Sequence, residues 1–403
     1  MQLLGKMKQR YTGDISLKHL HVLDGVRVLF VFIVAWFHIW QQSWLTPSFT
    51  AFGVSFHLDF LPRAGYIFVD GMLLLSGLLL FLPHAIHPDA PFDTLLFYKK
   101  RVARIVPSFL LSLLVMMFFV ALPEKRYPTF QAGLLDVLTH LTFTHNFFSF
   151  SHHLTPLNVA LWTLAVEMQF YLIFPLLAKC FKKHPALTFF VMSGIAWAYR
   201  FYVQQFPDTT MLVNQFPAFL DVYAIGFVGA SLIVQLSKRF SKQTKLEKVM
   251  FSCFFLLSAI LGVYIVKEQA TCPNHMAIRL GQLNHRLPLA MCLASAMVSL
   301  CYALPIIKFV FGNKIMYYLS GVSFQYYIWH QVFAVQLKKW KLPPSVTQLP
   351  WQTAEREWQI PYTFYCFLGA LFIATVVTYA FEKPIAKLWL NHRAHTKRQG
   401  GET

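Results

Sequence analysis

Apolar segments of about twenty residues recur along nearly the whole chain, and they constrain its fold more than any other feature. A bilayer core is about 30 Å thick, so a helix needs roughly 20 apolar residues to cross it. Such segments lie at residues 23–44, 64–83, 105–122, 161–177, 186–204, 217–236, 249–266, 287–304, 315–337 and 362–381. Because backbone polar groups inside a membrane must be satisfied internally, the pattern predicts an all-α, polytopic transmembrane helical bundle of about ten spans.

The composition supports this class and excludes two others. Of the 403 residues, 56% are hydrophobic and only 13% are charged, whereas soluble domains carry about 25% charged residues. A disordered chain is therefore excluded, and a soluble multidomain enzyme is disfavoured.

One further segment, residues 134–150, is too polar for an ordinary span. It carries Asp136, His140, Thr142, His145 and Asn146 within 11 positions. We therefore predict a re-entrant or interfacial segment here, in addition to the ten spans.

The basic residues predict the orientation in the membrane. With ten spans, 23 of the 35 lysines and arginines fall on the side of the two termini and 11 on the other, and Arg27 lies inside the first span. Cytoplasmic loops collect Lys and Arg, so both termini are expected in the cytoplasm. The alternative explanation of the formal charge of +18, nucleic-acid binding, lacks a basic stripe long enough to follow a backbone.

These patterns predict three regions along the chain. Residues 1–22 form a cytoplasmic segment, residues 23–389 the membrane domain, and residues 390–403 a cytoplasmic basic tail. Mostly polar residues precede the first span and no small-residue cleavage site follows it, so we expect that span to be retained. The six cysteines form no C-x-x-C pair and no His-Glu-x-x-His motif is present, so no disulfide framework and no metal site are predicted.

The first span carries two ionisable residues on one face. Arg27 and His38 are 11 positions apart, about 20° beyond three full helical turns and about 16 Å along the axis. Ionisable residues inside a membrane are costly, so each is a candidate functional group. The alternative for His38 is a hydrogen bond between helices.

A basic cluster precedes the third span. Arg101 and Arg104 are three positions apart, hence neighbours on a helical turn, and Pro107 follows within the first helical turns. Paired guanidinium groups near a helix N-terminus suit phosphate binding. Anchoring of the span on the cytoplasmic side explains the same charges equally well.

Two later spans carry polar stripes. Thr163, Glu167 and Tyr171 are spaced i, i+4, i+8 in the fourth span. A carboxylate at that depth must be protonated or paired, and it could also be structural. The ninth span repeats the pattern with Ser323, Tyr327 and His330, which could line the same cavity or bond to neighbouring helices.

Several motifs together resemble the acyltransferase 3 family, membrane-bound enzymes that O-acylate exported carbohydrates. The resemblance covers nearly the whole chain. It rests on Leu23-Asp24-Gly25-Val26-Arg27 with His38, Phe68-Val69-Asp70-Gly71 through Ser76-Gly77, Arg101-x-x-Arg104-Ile105-x-Pro107, Asn158 with Trp162 to Glu167 and Phe170-Tyr171, Tyr327-Ile328-Trp329-His330, and Glu382-Lys383-Pro384. Met72, Leu73 and Leu78 stand where phenylalanines are usual in the family.

The resemblance implies an integral O-acyltransferase of the bacterial plasma membrane. It also implies a cytoplasmic acyl-CoA donor, usually acetyl-CoA, and a carbohydrate or lipid-linked glycan hydroxyl as acceptor outside. His38 falls where the essential histidine of the family lies. As working hypotheses, Arg27, Arg101 and Arg104 hold the CoA phosphates, His38 is the general base, and Glu167 orients its imidazole.

We expect four further residues in these motifs to line the substrate site: Asn158, Trp162, Tyr171 and His330. No permanently bound cofactor is predicted. Direct attack of the acceptor on the thioester and a covalent acyl-histidine both remain open.

The alternative function is a transporter or flippase of a lipid-linked glycan, in which the intramembrane charges would form a substrate path. Spans broken by Gly or Pro in matching halves, the usual signal for such a path, do not stand out in the sequence.

Overall fold

A computed structural model describes residues 20–345 and 355–389. Within these residues the chain is almost entirely helical. The principal helices are α1 (His21–Ser43), α2 (Phe68–Ile86), α3 (Thr94–Met116), α4 (Phe130–Leu141), α5 (Trp162–Lys183), α6 (Pro185–Val203), α7 (Leu220–Arg239), α8 (Lys245–Ala270), α9 (His275–Tyr302), α10 (Pro305–Gly312), α11 (Lys314–Lys339) and α12 (Arg356–Val377).

Shorter elements complete the described chain. The strands β1 (Ser48–Ala51) and β2 (Val54–His57) form an antiparallel hairpin after α1. Single helical turns lie at Phe60–Arg63 and Ser149–His152, 3₁₀ turns at Gly65–Ile67, His145–Phe147, Val159–Leu161 and Phe216–Phe219, and π-helical turns at Met117–Ala121 and Thr378–Glu382.

The all-α, polytopic prediction is confirmed, and each of the ten predicted segments falls on a helix. Eight helical segments are long and apolar enough to cross a membrane by themselves, and a ninth candidate is α9 with Pro305–Lys339, bent by 113°. The count is lower than ten because the predicted segments on α9 and α11 qualify only together, as this bent pair. Gln282, His285 and Arg286 lie within α9.

The polar segment predicted as re-entrant or interfacial contains α4 and the turns that follow it. At 1.5 Å per residue the 12 residues of α4 extend about 18 Å, too short to cross a bilayer. Most of the predicted N-terminal cytoplasmic segment and the whole basic tail lie outside the described residues.

The described chain divides into two compact units. Unit 1 consists of the described parts of Met1–Phe37, Thr46–Ala90 and Leu176–Gly321; unit 2 consists of those of His38–Leu45, Pro91–Pro175 and Val322–Thr403. Helices α1, α5 and α11 each contribute residues to both units.

Unit 1 is built around close packing of α2 on α7 and of α8 on α9. Gly226 permits the first contact, because a Cβ at this position would lie 2.6 Å from the carbonyl oxygen of Leu74. A side chain there would force the two helices apart, so this glycine sets how closely they approach.

Two arginine–aspartate pairs lie buried in unit 1. The Arg286 side chain is fully buried, and its Nε lies 3.2 Å and 3.3 Å from the two carboxylate oxygens of Asp70. Arg200 pairs with Asp221 and also donates to the carbonyl of Ala218. Each charge is therefore compensated locally, which reduces the cost of removing it from water.

Unit 2 has two apolar cores. One joins α3, the start of α5 and α11 through Phe109, Leu161, Leu164 and Ile328. The other joins the end of α1 to α11 and α12, with Ile39, Ala334, Leu337, Trp358, Tyr362 and Cys366. These cores fix the second half of α11, which carries most of the polar groups described next.

Candidate active site

Two imidazoles, from residues far apart in the sequence, meet in unit 2. His38 Nδ1 lies 2.7 Å from His330 Nε2, and the ring centroids are 5.0 Å apart. The side chain of His330 is completely buried, whereas that of His38 is partly accessible. The structure thus brings together the histidine of the first predicted span and that of the ninth.

The hydrogen bonds of His330 determine where the protons of this pair reside. His330 Nδ1 lies 2.7 Å from the carbonyl oxygen of Tyr327 and 3.2 Å from that of Tyr326. Carbonyl oxygens only accept, so His330 Nδ1 carries a proton and its Nε2, in a neutral ring, accepts from His38 Nδ1. His38 therefore carries its lone pair on Nε2, the atom that can take a proton from a substrate.

Polar contacts hold α11 in place around this pair. The Thr163 hydroxyl donates to the Tyr327 hydroxyl at 2.8 Å. Asn158 Nδ2 donates to the carbonyl of Ile328 at 2.8 Å and to the Ser112 hydroxyl at 3.2 Å. Asn158, predicted to bind substrate, thus connects α3, the start of α5 and α11. It also lines a cleft of about 260 Å³ in unit 2.

A second group of predicted residues surrounds Arg101. Its guanidinium lies 5.6 Å from the ring centroids of both Phe97 and Tyr171. The Tyr171 hydroxyl donates a short hydrogen bond to Glu167. The structure thus brings Arg101, Tyr171 and Glu167 together. Orientation of the His38 imidazole by Glu167 stays a prediction; the Nδ1 atom of that ring bonds to His330.

Several polar residues near Arg104 escaped the sequence analysis. The Arg104 guanidinium lies 5.9 Å from the ring of Phe324. The adjacent Gln325 donates to the Ser108 hydroxyl at 2.6 Å and to the Glu382 carboxylate at 2.8 Å, and it accepts from Trp329 at 3.2 Å.

The sequence does contain a signal for this hydrogen-bond network, because its polar residues lie within or next to predicted spans. Sequence spacing alone does not show which helix a polar residue such as Glu382 faces.

Two other predicted residues have contacts elsewhere. Arg27 lies in unit 1, where its Nη1 contacts the Ser320 hydroxyl at 3.3 Å and Asp24 at 3.9 Å. Trp162 packs edge-to-face on His152 in unit 2, with ring centroids 6.2 Å apart.

The polar segment that includes α4 is organised around Asp136, which is 1% exposed. Its carboxylate accepts hydrogen bonds from the hydroxyls of Tyr127 at 2.6 Å and Thr155 at 2.7 Å. His140 Nδ1 bonds to the backbone carbonyl of Asp136 at 2.8 Å and lies 3.1 Å from its Oδ1. Burial and the hydrogen bond to Asp136 raise the pKa of the Tyr127 hydroxyl, so it stays a donor. The His140 ring stacks on His145, with centroids 4.1 Å apart.

The histidines near Asp136 raise the question of a metal. Across residues 20–345 and 355–389, the structure places no three His, Cys, Asp or Glu side chains so that they could share a metal ion.

Taken together, fold and site define a multi-pass helical membrane protein with a hydrogen-bonded imidazole pair and a guanidinium group set between aromatic rings. The chain belongs to the acyltransferase 3 family: the family model described as "Acyltransferase domain" matches residues 20–381. The resemblance found in the sequence is therefore confirmed.

Individual relatives match over shorter regions. The O-acetyltransferase OatA of Staphylococcus aureus (strain NCTC 8325 / PS 47) is 26% identical over 197 residues, 45% of this chain and 29% of that protein. The putative peptidoglycan O-acetyltransferase YrhL of Bacillus subtilis (strain 168) is 30% identical over 135 residues, 30% of this chain and 21% of that protein.

A third relative, an uncharacterized protein of Haemophilus influenzae, is 30% identical over 188 residues, 40% of this chain and 76% of that protein. The matches to OatA and YrhL thus span less than a third of those proteins. No solved structure matches this chain.

Proposed function

We propose that the protein is an integral-membrane O-acyltransferase that moves an acyl group, acetyl in the first instance, from cytoplasmic acyl-CoA to a hydroxyl of an exported or cell-surface carbohydrate. Family membership and the names of the O-acetyltransferase relatives support acyl transfer to oxygen. The observation that carries the proposal is the His38–His330 pair, since it leaves a basic nitrogen on His38.

The proposed reaction is direct transfer. His38 Nε2 takes the proton of the acceptor hydroxyl while the oxygen attacks the thioester carbonyl. The carbon–sulfur bond then breaks as the tetrahedral intermediate collapses, and the CoA sulfur leaves with the proton held by His38. One ester bond forms, one thioester bond breaks, and His38 returns to its neutral state.

His330 is a positioning residue in this scheme. Its Nε2 accepts from His38 Nδ1, which fixes the His38 tautomer and orients the ring. As His38 gains a proton, the same hydrogen bond strengthens because its donor becomes charged. A neutral imidazole anchored to two backbone carbonyls thus takes the place that a carboxylate holds in a hydrolase triad.

For the donor, we propose that Arg101 and Arg104 bind the phosphates of acyl-CoA. Within the described chain Arg101 Nε has no hydrogen-bond partner, and neither does the ammonium of Lys99. An arginine held by ring faces keeps its N–H edge available for phosphate oxygens. Arg27 keeps its sequence-based assignment as a further phosphate ligand.

The distribution of basic residues along the chain supports a cytoplasmic donor and an acceptor outside. Arg101 and Arg104 lie in the N-terminal half of α3, which the count of basic residues predicts to be nearer the cytoplasm. The same count predicts residues 122–129, after α3, on the opposite side.

The test uses membranes that contain the protein, acetyl-CoA labelled in its acetyl group, and the envelope glycans of the same cells. We expect label on carbohydrate with wild type and a loss of at least a hundredfold with His38→Ala, which should still bind CoA. His184→Ala, an exposed histidine, is the matched control and should keep full activity. Absence of labelled carbohydrate with wild type, or normal turnover with His38→Ala, would contradict the proposal.

A further inference from the structure

The connection between α1 and α2 contains a β-hairpin with an exposed apolar face. Strands β1 and β2 pair with Phe49 opposite Phe56 and Ala51 opposite Val54. Because side chains alternate along a strand, these four residues share one face of the hairpin. Phe49, Val54 and Phe56 are 52%, 55% and 43% exposed, and the two phenylalanine rings stack with centroids 5.2 Å apart. The part of the chain that the structure describes thus leaves this face largely uncovered.

The other face of the hairpin is polar. Ser48, Thr50, Ser55 and His57 alternate with the apolar residues, and the hydroxyls of Thr50 and Ser55 lie 3.1 Å apart. The hairpin is therefore amphipathic, as a helix with one apolar and one polar side is. By the same physics, an element of this kind is stable at a boundary between water and an apolar phase.

The turn of the hairpin adds an aromatic side chain at its tip. Phe52 and Gly53 join the strands with positive φ values of 53° and 75°. Two-residue turns of this kind favour Asn or Asp before glycine, since a bulky side chain is disfavoured at positive φ. Phe52 is nevertheless fully exposed at this position. Burial of its ring in lipid would offset the unfavourable backbone conformation.

The hairpin also lacks the charges found in another loop of this chain. Between Arg27 and Asp59 the sequence contains no Lys, Arg, Asp or Glu. Residues 122–129, predicted on the same side of the membrane, include the charged run Glu124-Lys125-Arg126. A loop that projects into water has no need to exclude charge, whereas a segment in contact with acyl chains must do so.

The covalent chain keeps the hairpin close to the bilayer. The candidate membrane span α1 ends at Ser43, and β1 begins at Ser48. Five residue steps of extended chain reach at most about 18 Å. The backbone N–H of Leu58 donates to the carbonyl of Pro47 at 2.9 Å and closes the base of the hairpin, and the next candidate span begins at Gly65.

The backbone of the hairpin limits its depth in the membrane. In a two-stranded sheet, the outer edge of each strand presents N–H and C=O groups that the ladder does not use. Open sheet edges do not occur in the hydrocarbon region, because nothing there can bond to them. Lipid headgroups and interfacial water can. The hairpin therefore fits the membrane interface, with its polar face toward water and its apolar face toward the acyl chains.

Two other occupants fit the apolar face less well. A stable contact with a second copy of the chain involves about 20–30 residues a side, whereas this face has four strand residues. A sugar ring stacked on Phe49 or Phe56 would meet only apolar neighbours there, so its hydroxyls would lose hydrogen bonds to water. Acyl chains have no polar groups to satisfy.

We propose that the hairpin is a membrane anchor. Its apolar face, formed by Phe49, Ala51, Val54 and Phe56, and the tip residue Phe52 insert into the interfacial region of the leaflet opposite the predicted cytoplasmic side. The ligand is the phospholipid bilayer. This surface holds the connection between the first two spans at the membrane, and the inference does not depend on the proposed acyl transfer.

The first experiment maps which face of the hairpin contacts lipid. The photoreactive amino acid benzoylphenylalanine replaces Phe52, Phe56 or Ser55, one at a time, in the full-length protein in nanodiscs of radiolabelled phospholipid. Ser55 is the matched control, because it neighbours Phe56 on β2 and faces the opposite side. We expect about tenfold more lipid adduct at Phe52 and Phe56 than at Ser55.

Two results of this experiment would overturn the anchor. One is an equal yield of lipid adduct at the three positions. The other, in membranes of cells that produce the protein, is a protein adduct instead of a lipid adduct at Phe56, since a protein would then occupy the apolar face.

The second experiment measures depth and leaves the sequence unchanged. Two phospholipid probes carry a photoreactive diazirine, one on the acyl chain beside the glycerol and one at the chain end, and mass spectrometry identifies the labelled peptides. We expect the first probe, and not the second, to label residues 46–59. Leu257, an exposed residue in the middle of α8, should be labelled by the second probe. Labelling of the hairpin by neither probe, or by the chain-end probe, would contradict an interfacial anchor.

Discussion

Buried polar groups are handled differently in the two units. In unit 1 they include charges of opposite sign, Asp70 with Arg286 and Arg200 with Asp221. In unit 2 they include imidazoles that lie against each other, such as His38 with His330 and His140 with His145. The two kinds of buried group differ in how readily they can change their charge once the chain has folded.

A compensated ion pair has little freedom to change its charge, because losing either charge leaves the other unpaired in a low dielectric. A neutral imidazole pair contains no salt bridge, so one ring can take up a proton without leaving an opposite charge unpaired. We infer that the buried charges of unit 1 serve the architecture and that the imidazoles of unit 2 serve the chemistry. The following predictions test this division of roles, from the largest expected effect to the smallest.

The largest effect is expected where a buried charge of unit 1 loses its partner. Asp70→Leu leaves Arg286 uncompensated and should destabilise the protein by about 3–5 kcal/mol, measured by denaturation in detergent micelles. Arg286→Met combined with Asp70→Leu should recover much of the loss, because no buried charge remains.

The matched control lies on α9, the helix that also carries Arg286. Arg279→Met breaks a pair with the exposed Asp208 and should change the stability little. If Asp70→Leu were as stable as Arg279→Met, the structural role of the buried pair would be refuted.

In unit 2, changing His330 should affect turnover more than stability. His330→Phe removes the acceptor for His38 Nδ1, so the His38 tautomer is no longer fixed and kcat should fall about a hundredfold. His330→Gln places an amide oxygen near the same position and should recover about tenfold of that loss, with the KM for acetyl-CoA unchanged in both variants.

A merely packing role for His330 predicts the opposite order. Phe would then preserve the apolar contacts better than Gln and would retain the higher kcat. The comparison of the two kcat values, on protein of equal folded fraction, decides between these roles.

The proposed donor site should show an intermediate effect that depends on salt. Arg101→Ala with Arg104→Ala should weaken CoA binding about tenfold at low ionic strength and less at high ionic strength, because salt screens the remaining attraction. Calorimetric titration with CoA in nanodiscs measures both. Lys179→Ala with Lys183→Ala removes the same charge from exposed positions and should leave the affinity for CoA unchanged. If the lysine variant lost as much affinity as the arginine variant, Arg101 and Arg104 would contribute only through the net charge of the protein.

The smallest effect concerns the ion pairs that Glu124 forms with Lys339 and Arg126. Hydrogen bonds from Lys339 and Arg126 hold the pKa of Glu124 below its ordinary value. A carboxyl whose pKa is lowered by folding adds stability above its unfolded pKa, and this contribution disappears as the pH falls through the folded pKa.

Glu124→Gln should therefore lower the melting temperature slightly at pH 7 and leave it unchanged at a pH below the folded pKa of Glu124. Thermal denaturation at the two pH values measures the difference. An equal effect of the substitution at both would show that the ion pairs do not contribute.

Much of the fold was predictable because it follows from local physics. A run of apolar residues long enough to cross a bilayer must be helical, and a polar 12-residue helix such as α4 cannot span it. The sequence also identified His38 and His330 as candidates, because ionisable residues in spans are rarely accidental.

The pairing of these candidates was not predictable in the same way. The sequence did not show that His330 bonds to His38 Nδ1, and the predicted role of Glu167 toward His38 stays a prediction. Periodicity shows which face of a helix a residue occupies, but not which helix that face meets. Arg286, which the sequence analysis passed over, finds Asp70 216 positions away.

By itself, the sequence determined a multi-pass helical membrane protein of the acyltransferase 3 family and most of the polar residues on which its proposed chemistry depends. Those features follow from runs of apolar residues and from the spacing of polar residues within single helices. Only the tertiary structure decided which imidazole bonds to His38, that Tyr171 bonds to Glu167, and that Asn158 and Gln331 line one cleft in unit 2. These contacts depend on close packing between helices. Several helix arrangements are compatible with the same sequence pattern, so the pattern alone cannot distinguish them.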